Sequence, residues 1–154
     1  MNKIFFGSAF CCLIYAQAIA QVSISPSNVS CARGAACVSS ITWNATSATP
    51  VVGIEFNLSY IATDITAVSV TAGPALTGAN KTLSCVAGKS PISCVVWGQN
   101  QTPILTGQVL VALNLTISPT AAKSSVFGIN SVAGTTAAPE SYPLAGASAK
   151  AQIH

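Results

Sequence analysis

The chain has 154 residues, 51% of them hydrophobic and only 6% charged, with a formal net charge of +3. That length and apolar share suit one packed domain. The basic residues beyond Lys3 are Arg33, Lys81, Lys89, Lys123 and Lys150, scattered singly along the chain, which excludes a nucleic-acid surface and long-range electrostatic steering.

Residues 1–20 read as a secretory signal peptide. Asn2-Lys3 is the basic start, Ile4 to Tyr15 the apolar run, and Ala18-Ile19-Ala20 a small-x-small site for cleavage before Gln21. The run is shorter than the ~20 apolar residues a membrane span needs. The mature chain is therefore expected to be exported, with no membrane span. Phe10 stands where lipid attachment at Cys11 or Cys12 needs a small residue. The domain proper is then 21–154.

Val22 to Ser25 reads as an edge strand stopped by Pro26. Val38 to Trp43 follows, with Ile41 and Trp43 on one face, and Asn44 to Pro50 is a polar turn. Val51 to Tyr60 alternates strictly. Ile54, Phe56, Leu58 and Tyr60 are expected inside, and Glu55, Asn57 and Ser59 outside. Thr66 to Ala72 places Val68 and Val70 inside. Gly73-Pro74 and Thr77 to Asn80 mark a loop. Leu83 to Val86 and Ser93 to Trp97 form a hairpin, and Gly98 to Gly107 is loop. Val109, Val111, Leu113, Leu115 and Ile117 form a second inward stripe, ended by Pro119. Ser125 to Val132 and Leu144 to Ile153 supply the last strands, with a loop between them at Gly134, Pro139 and Pro143. The pattern predicts an all-β fold: about nine strands in an antiparallel β-sandwich with jelly-roll topology.

The cysteines beyond the signal are Cys31, Cys37, Cys85 and Cys94. An even number in an exported chain implies disulfides. Three connectivities are formally open. Cys31–Cys37 and Cys85–Cys94 are preferred because each pair brackets turn residues, Arg33-Gly34 in one and Gly88 to Pro91 in the other. Each would then pin a hairpin. A zinc site is the rival, but neither spacing is a short Cys-x-x-Cys. No metal and no cofactor is expected.

Catalytic chemistry lacks its parts. The one histidine, His154, is the last residue and is expected to be mobile, so a nucleophile has no positioned base. The carboxylates are Glu55, Asp64 and Glu140 alone, which favours no facing acid–base pair. The expectation is a protein that is not an enzyme.

Several of these segments resemble the cohesin domain, the β-sandwich that docks dockerin modules in cellulose-degrading assemblies. Val22 to Pro26 is similar to the opening strand, and Gly53-Ile54-Glu55-Phe56-Asn57-Leu58-Ser59-Tyr60 to the central one. Ala67 to Val70 fits the next strand and Gly107 to Ile117 the late one. The chain departs from the pattern at Ile61, where the family places Asp, and in its cysteines. The same likeness extends to the wider β-sandwich superfamily of carbohydrate-binding modules. It implies a secreted, non-catalytic binding module whose partner is a dockerin-like protein or a polysaccharide. The alternative is a surface-assembly subunit that pairs through exposed strand edges.

Trp97-Gly98-Gln99-Asn100-Gln101 is the stretch that best suits a sugar. An exposed Trp97 would stack on a pyranose ring, with Gln99, Asn100 and Gln101 bonding its hydroxyls. The competing reading of Trp97 is a core residue beside Cys94. Trp43 is expected in the core, opposite Phe56. Asn-x-Ser/Thr triplets begin at Asn28, Asn44, Asn57, Asn80, Asn100 and Asn114, as chance provides in a chain rich in these residues.

Overall fold

The computed structural model describes residues 22–45, 50–86, 88, 90–137 and 141–154. The expected signal peptide, Lys89 and Glu140 lie outside the described residues.

The alternating stripes become strands whose apolar sides meet. In chain order the elements are β1 (Val22–Pro26), β2 (Val29–Cys31), β3 (Ala36–Ala45), β4 (Val51–Tyr60), β5 (Ile65–Ala72), α1 (Pro74–Thr77), β6 (Thr82–Cys85), β7 (Ile92–Trp97), β8 (Gln108–Ile117), β9 (Ser124–Thr136), β10 (Ser141–Leu144) and β11 (Ser148–Ile153). One sheet has four strands in the order β1-β3-β8-β5. The other has seven, in the order β2-β11-β9-β4-β7-β6, with β10 also paired to β9. The result is an all-β jelly-roll sandwich. Its core joins Ile54, Phe56 and Leu58 of β4 to Ile41 and Trp43 of β3 and to Val111, Leu113, Leu115 and Ile117 of β8. Trp43 and Phe56 are both fully buried. A side chain of this size contributes roughly 1.5–3 kcal/mol on burial. Val68, Val70 and Tyr60 are only partly buried and pack against this cluster. Val109, expected inside, is also only partly buried, because a bulge in the β3–β8 pairing puts Leu110 in the core in its place.

Several details differ from the sequence reading. Among the described residues the strands number eleven rather than about nine, because β2 and β10 are too short to show alternation. The sandwich is not wholly antiparallel: β2 runs parallel to β11, with Val29 opposite Ala151. A short helix, α1, occupies part of the expected loop after Ala72, with Pro74 opening its first turn. β9 also runs through Gly134, expected in a loop. There Leu144 Cδ1 and Val51 Cγ1 would stand 3.1 and 3.3 Å from a Cβ. The missing side chain lets β10 fold back over the strand, so this glycine serves packing rather than a turn. His154 is not free at its backbone. Its N–H donates to the Cys31 carbonyl and its own carbonyl accepts from the Arg33 N–H, both at 3.1 Å.

Both preferred disulfides are present, Cys31–Cys37 and Cys85–Cys94. Only the second pins a hairpin, since Cys85 and Cys94 face each other across β6 and β7. Cys31 ends β2 in the larger sheet, whereas Cys37 lies in β3 of the smaller one. The first disulfide therefore ties the two sheets together at a corner.

Two measurements check this account. Phe56→Ala is expected to lower the unfolding free energy by about 3–5 kcal/mol in a denaturant titration. Replacing Cys85 and Cys94 together by Ser is expected to cost about 2–3 kcal/mol in the same assay, the size set by the short loop the bond closes.

Candidate functional site

The strands that bury Ile54, Phe56, Cys94 and Val96 turn their alternate side chains outward. On β4 these are Glu55, Asn57 and Ser59; on β7, Ser93, Val95 and Trp97; on β6, Thr82 and Ser84. The register places Glu55 opposite Val95 and Asn57 opposite Ser93. The polar groups pair locally. Ser93 Oγ donates to Asn57 Oδ1 at 2.6 Å, and Asn130 Nδ2 donates to Ser59 Oγ at 3.1 Å. Val95 and Trp97 stand above them, 42% and 50% exposed. The core reading of Trp97 therefore fails. It occupies an outward position of β7, one residue past the buried Val96, and alternation alone decides this. Trp43 takes the buried role instead.

The loop after Trp97 is held from beneath. Lys81 is buried, and its ammonium donates to the Asn100 carbonyl at 2.9 Å and to Asn100 Oδ1 at 2.8 Å. Asn100 Nδ2 in turn donates to the Ala79 carbonyl at 3.1 Å. The Asn100 amide is thus engaged within the protein, while Gln99 and Gln101 are exposed. Sequence patterning gave no sign of this clamp, because a lone lysine before a strand usually reads as solvated.

Beside Trp97 lies an open cleft of about 280 Å³ over Gly53, bordered by Glu55, Thr135 and Gly98. The other described carboxylate, Asp64, lies elsewhere. It is buried, and its Oδ1 accepts from the Ala122 N–H at 3.1 Å. Glu55 and Asp64 do not face one another across a cleft. Among the described residues no cluster of His, Cys, Asp and Glu is arranged to hold a metal. No helix among them is long and apolar enough to cross a membrane.

No protein-family profile matches the chain, and no curated protein matches it in sequence. Solved structures do match in shape. A sixth cohesin from the scaffoldin B of Acetivibrio cellulolyticus, in complex with a dockerin, superposes with a TM-score of 0.73 and 17% identity, covering 88% of this chain and 99% of that one. The cohesin of a family 33 glycoside hydrolase from Clostridium perfringens gives 0.71 and 14%, covering 88% and 98%. A non-cellulosomal cohesin from the archaeon Archaeoglobus fulgidus gives 0.67 and 13%, covering 88% and 91%. The chain is a cohesin-like domain by fold. At these identities the cohesin likeness rests on backbone topology.

Burial holds the Lys81 ammonium below the usual lysine pKa, by desolvation. The unfolded chain then binds this proton more tightly than the native one. Native stability is expected to rise with pH through the window just below the ordinary lysine value. Lys81→Met should flatten that part of the profile in pH-dependent denaturation. It should also speed hydrogen exchange of the loop amides around Asn100.

Proposed function

We propose that this cohesin-like domain is an exported, non-catalytic binding module that docks a dockerin-like protein on the outer face of its seven-stranded sheet. The observation that carries the reading is the pair Val95 and Trp97. They are exposed side by side on β7, among the short polar side chains of β4 and β6. A half-exposed tryptophan amid small polar groups is the composition of a binding hot spot, and Trp is among the residues most enriched there. The rigid sheet beneath presents it without an ordering cost. Dockerin complexes of the structurally similar Acetivibrio and Clostridium thermocellum cohesins support a partner of that class. The two disulfides support an oxidising, extracellular location.

The outer face of the four-stranded sheet is the internal control. Ser69 and Asn114 face outward there, with Asn114 Nδ2 donating to Ser69 Oγ at 3.4 Å. Calorimetry against a panel of dockerin modules is expected to find a binder. Val95→Arg and Trp97→Ala should each weaken it by about 2 kcal/mol or more, whereas Asn114→Arg leaves it unchanged. Loss on Asn114→Arg alone would move the docking face to the other sheet. A glycan array run in parallel reads the polysaccharide alternative through Trp97, Gln99 and Gln101. Glycan binding without any dockerin binding would replace the proposed partner.

A further inference from the structure

Two glycines, Gly53 on β4 and Gly128 on β9, interrupt the rows of side chains on the outer face of the larger sheet, and the one at Gly53 opens a cleft. Gly53 lies opposite Thr135 on β9. On its other side, the pairing of Ile54 with Val96 sets Gly53 beside Trp97. With no side chain at 53, the space between Trp97 and Thr135 stays open as the 280 Å³ cleft, and Glu55 stands at its margin, one outward step along β4. A Cβ at position 53 would lie 3.2 Å from the Val96 carbonyl oxygen and 3.8 Å from Thr135 Cβ. Any larger side chain would fill the floor.

The cleft carries an uncompensated negative charge. Glu55 is exposed and has no ion pair or hydrogen bond among the described residues. The described cations do not serve it. Lys81 is turned onto Asn100. The Arg33 guanidinium donates to the Ala121 carbonyl at 3.0 Å. Lys150 registers with Val126, near the opposite end of β9 from Ala133, the partner of Glu55. Lys123 lies just before β9, at that same far end. Beside the carboxylate is the indole of Trp97, whose ring face is itself electron-rich.

The chemistry of the lining separates two kinds of occupant. A sugar would seek side-chain amides around its hydroxyls, but the Asn100 amide is engaged, and Gln99 and Gln101 do not line the cleft. A cation finds the indole of Trp97, an unpaired carboxylate and Thr135 lining one cleft. A guanidinium uses all three best, because it is planar, stacks on indole and presents a fork to a carboxylate. We infer that the cleft over Gly53 is a subsite for one cationic side chain, an arginine by preference, presented by the docked partner. This rests on the docking reading above and adds to it the charge that the partner must carry.

Trp43 and Trp97 are the only tryptophans, so heteronuclear NMR of the oxidised protein shows one buried and one exposed indole N–H signal. The probes are N-acetyl-arginine methylamide, its neutral isostere N-acetyl-citrulline methylamide, and cellotriose. The arginine probe is expected to shift the Trp97 signal and leave Trp43 still. The citrulline probe should bind roughly tenfold more weakly, a loss of about 1.4 kcal/mol. Glu55→Gln should lower arginine affinity by a similar factor with the Trp43 signal unmoved, which reports an intact core. Equal binding of the two amino-acid probes, indifference to Glu55→Gln, or no shift of Trp97 would each overturn the inference. A shift by cellotriose alone would reassign the cleft to carbohydrate. If the arginine probe does nothing while Val95→Arg still abolishes partner binding, the docking face stands and the cationic subsite falls. If the probe binds and Val95→Arg is harmless to the partner, the subsite stands and the docking face falls.

Discussion

The structure depends on the interlock of two apolar stripes, one from each sheet. Ile54, Phe56 and Leu58 on β4 and Val111, Leu113, Leu115 and Ile117 on β8 are all buried in one cluster, with Trp43 from β3 among them. With only 6% of residues charged, ionic networks have little to add, and burial of these side chains dominates the favourable free energy. Away from bulges such as Leu110-Val111, where two neighbours are both buried, a residue committed inward obliges the next to face out, so the core also specifies the composition of the outer sheet faces.

The margins of the sandwich are secured by other means. One disulfide closes the β6–β7 hairpin, and the other joins the two sheets where β2 leaves for β3. The buried Lys81 holds the loop that follows Trp97 through both oxygens of Asn100. Desolvating an ammonium is costly, and two short hydrogen bonds offset part of that cost. The device fixes the backbone just beyond the exposed tryptophan. A tryptophan on a stiff strand with a stiff exit loop loses little freedom when something binds it.

The outer face of β4, β6 and β7 combines small hydroxyls and an amide, with Ser93 paired to Asn57 and Ser59 to Asn130 of β9, and an uncovered valine and tryptophan. The one described carboxylate in that region, Glu55, borders the cleft that Gly53 leaves open. Apolar contact would supply affinity there, and the unpaired charge would select among partners.

The inward stripe of β4, that of β8 from Val111 onward, the strand character of nearly every segment, the disulfide partners and the burial of Trp43 were legible in the sequence, whereas the bulge that buries Leu110 in place of Val109 was not. Each depends on period-two alternation or on local turn spacing, which neighbouring residues specify by themselves. Long-range pairing was not legible. The parallel docking of β2 on β11, the return of β10 across Gly134, and the placement of one disulfide between sheets join residues far apart in the chain. The exposure of Trp97 was legible in principle, from its place one step past Val96, but aromatic size argued for the core. The cleft over Gly53 needed the fold, because its walls come from three strands whose register no local pattern encodes. The sequence by itself determined a β-sandwich with a defined inside. The tertiary structure alone decided which outward residues stand together, because neighbours across a sheet are set by pairing and not by order along the chain.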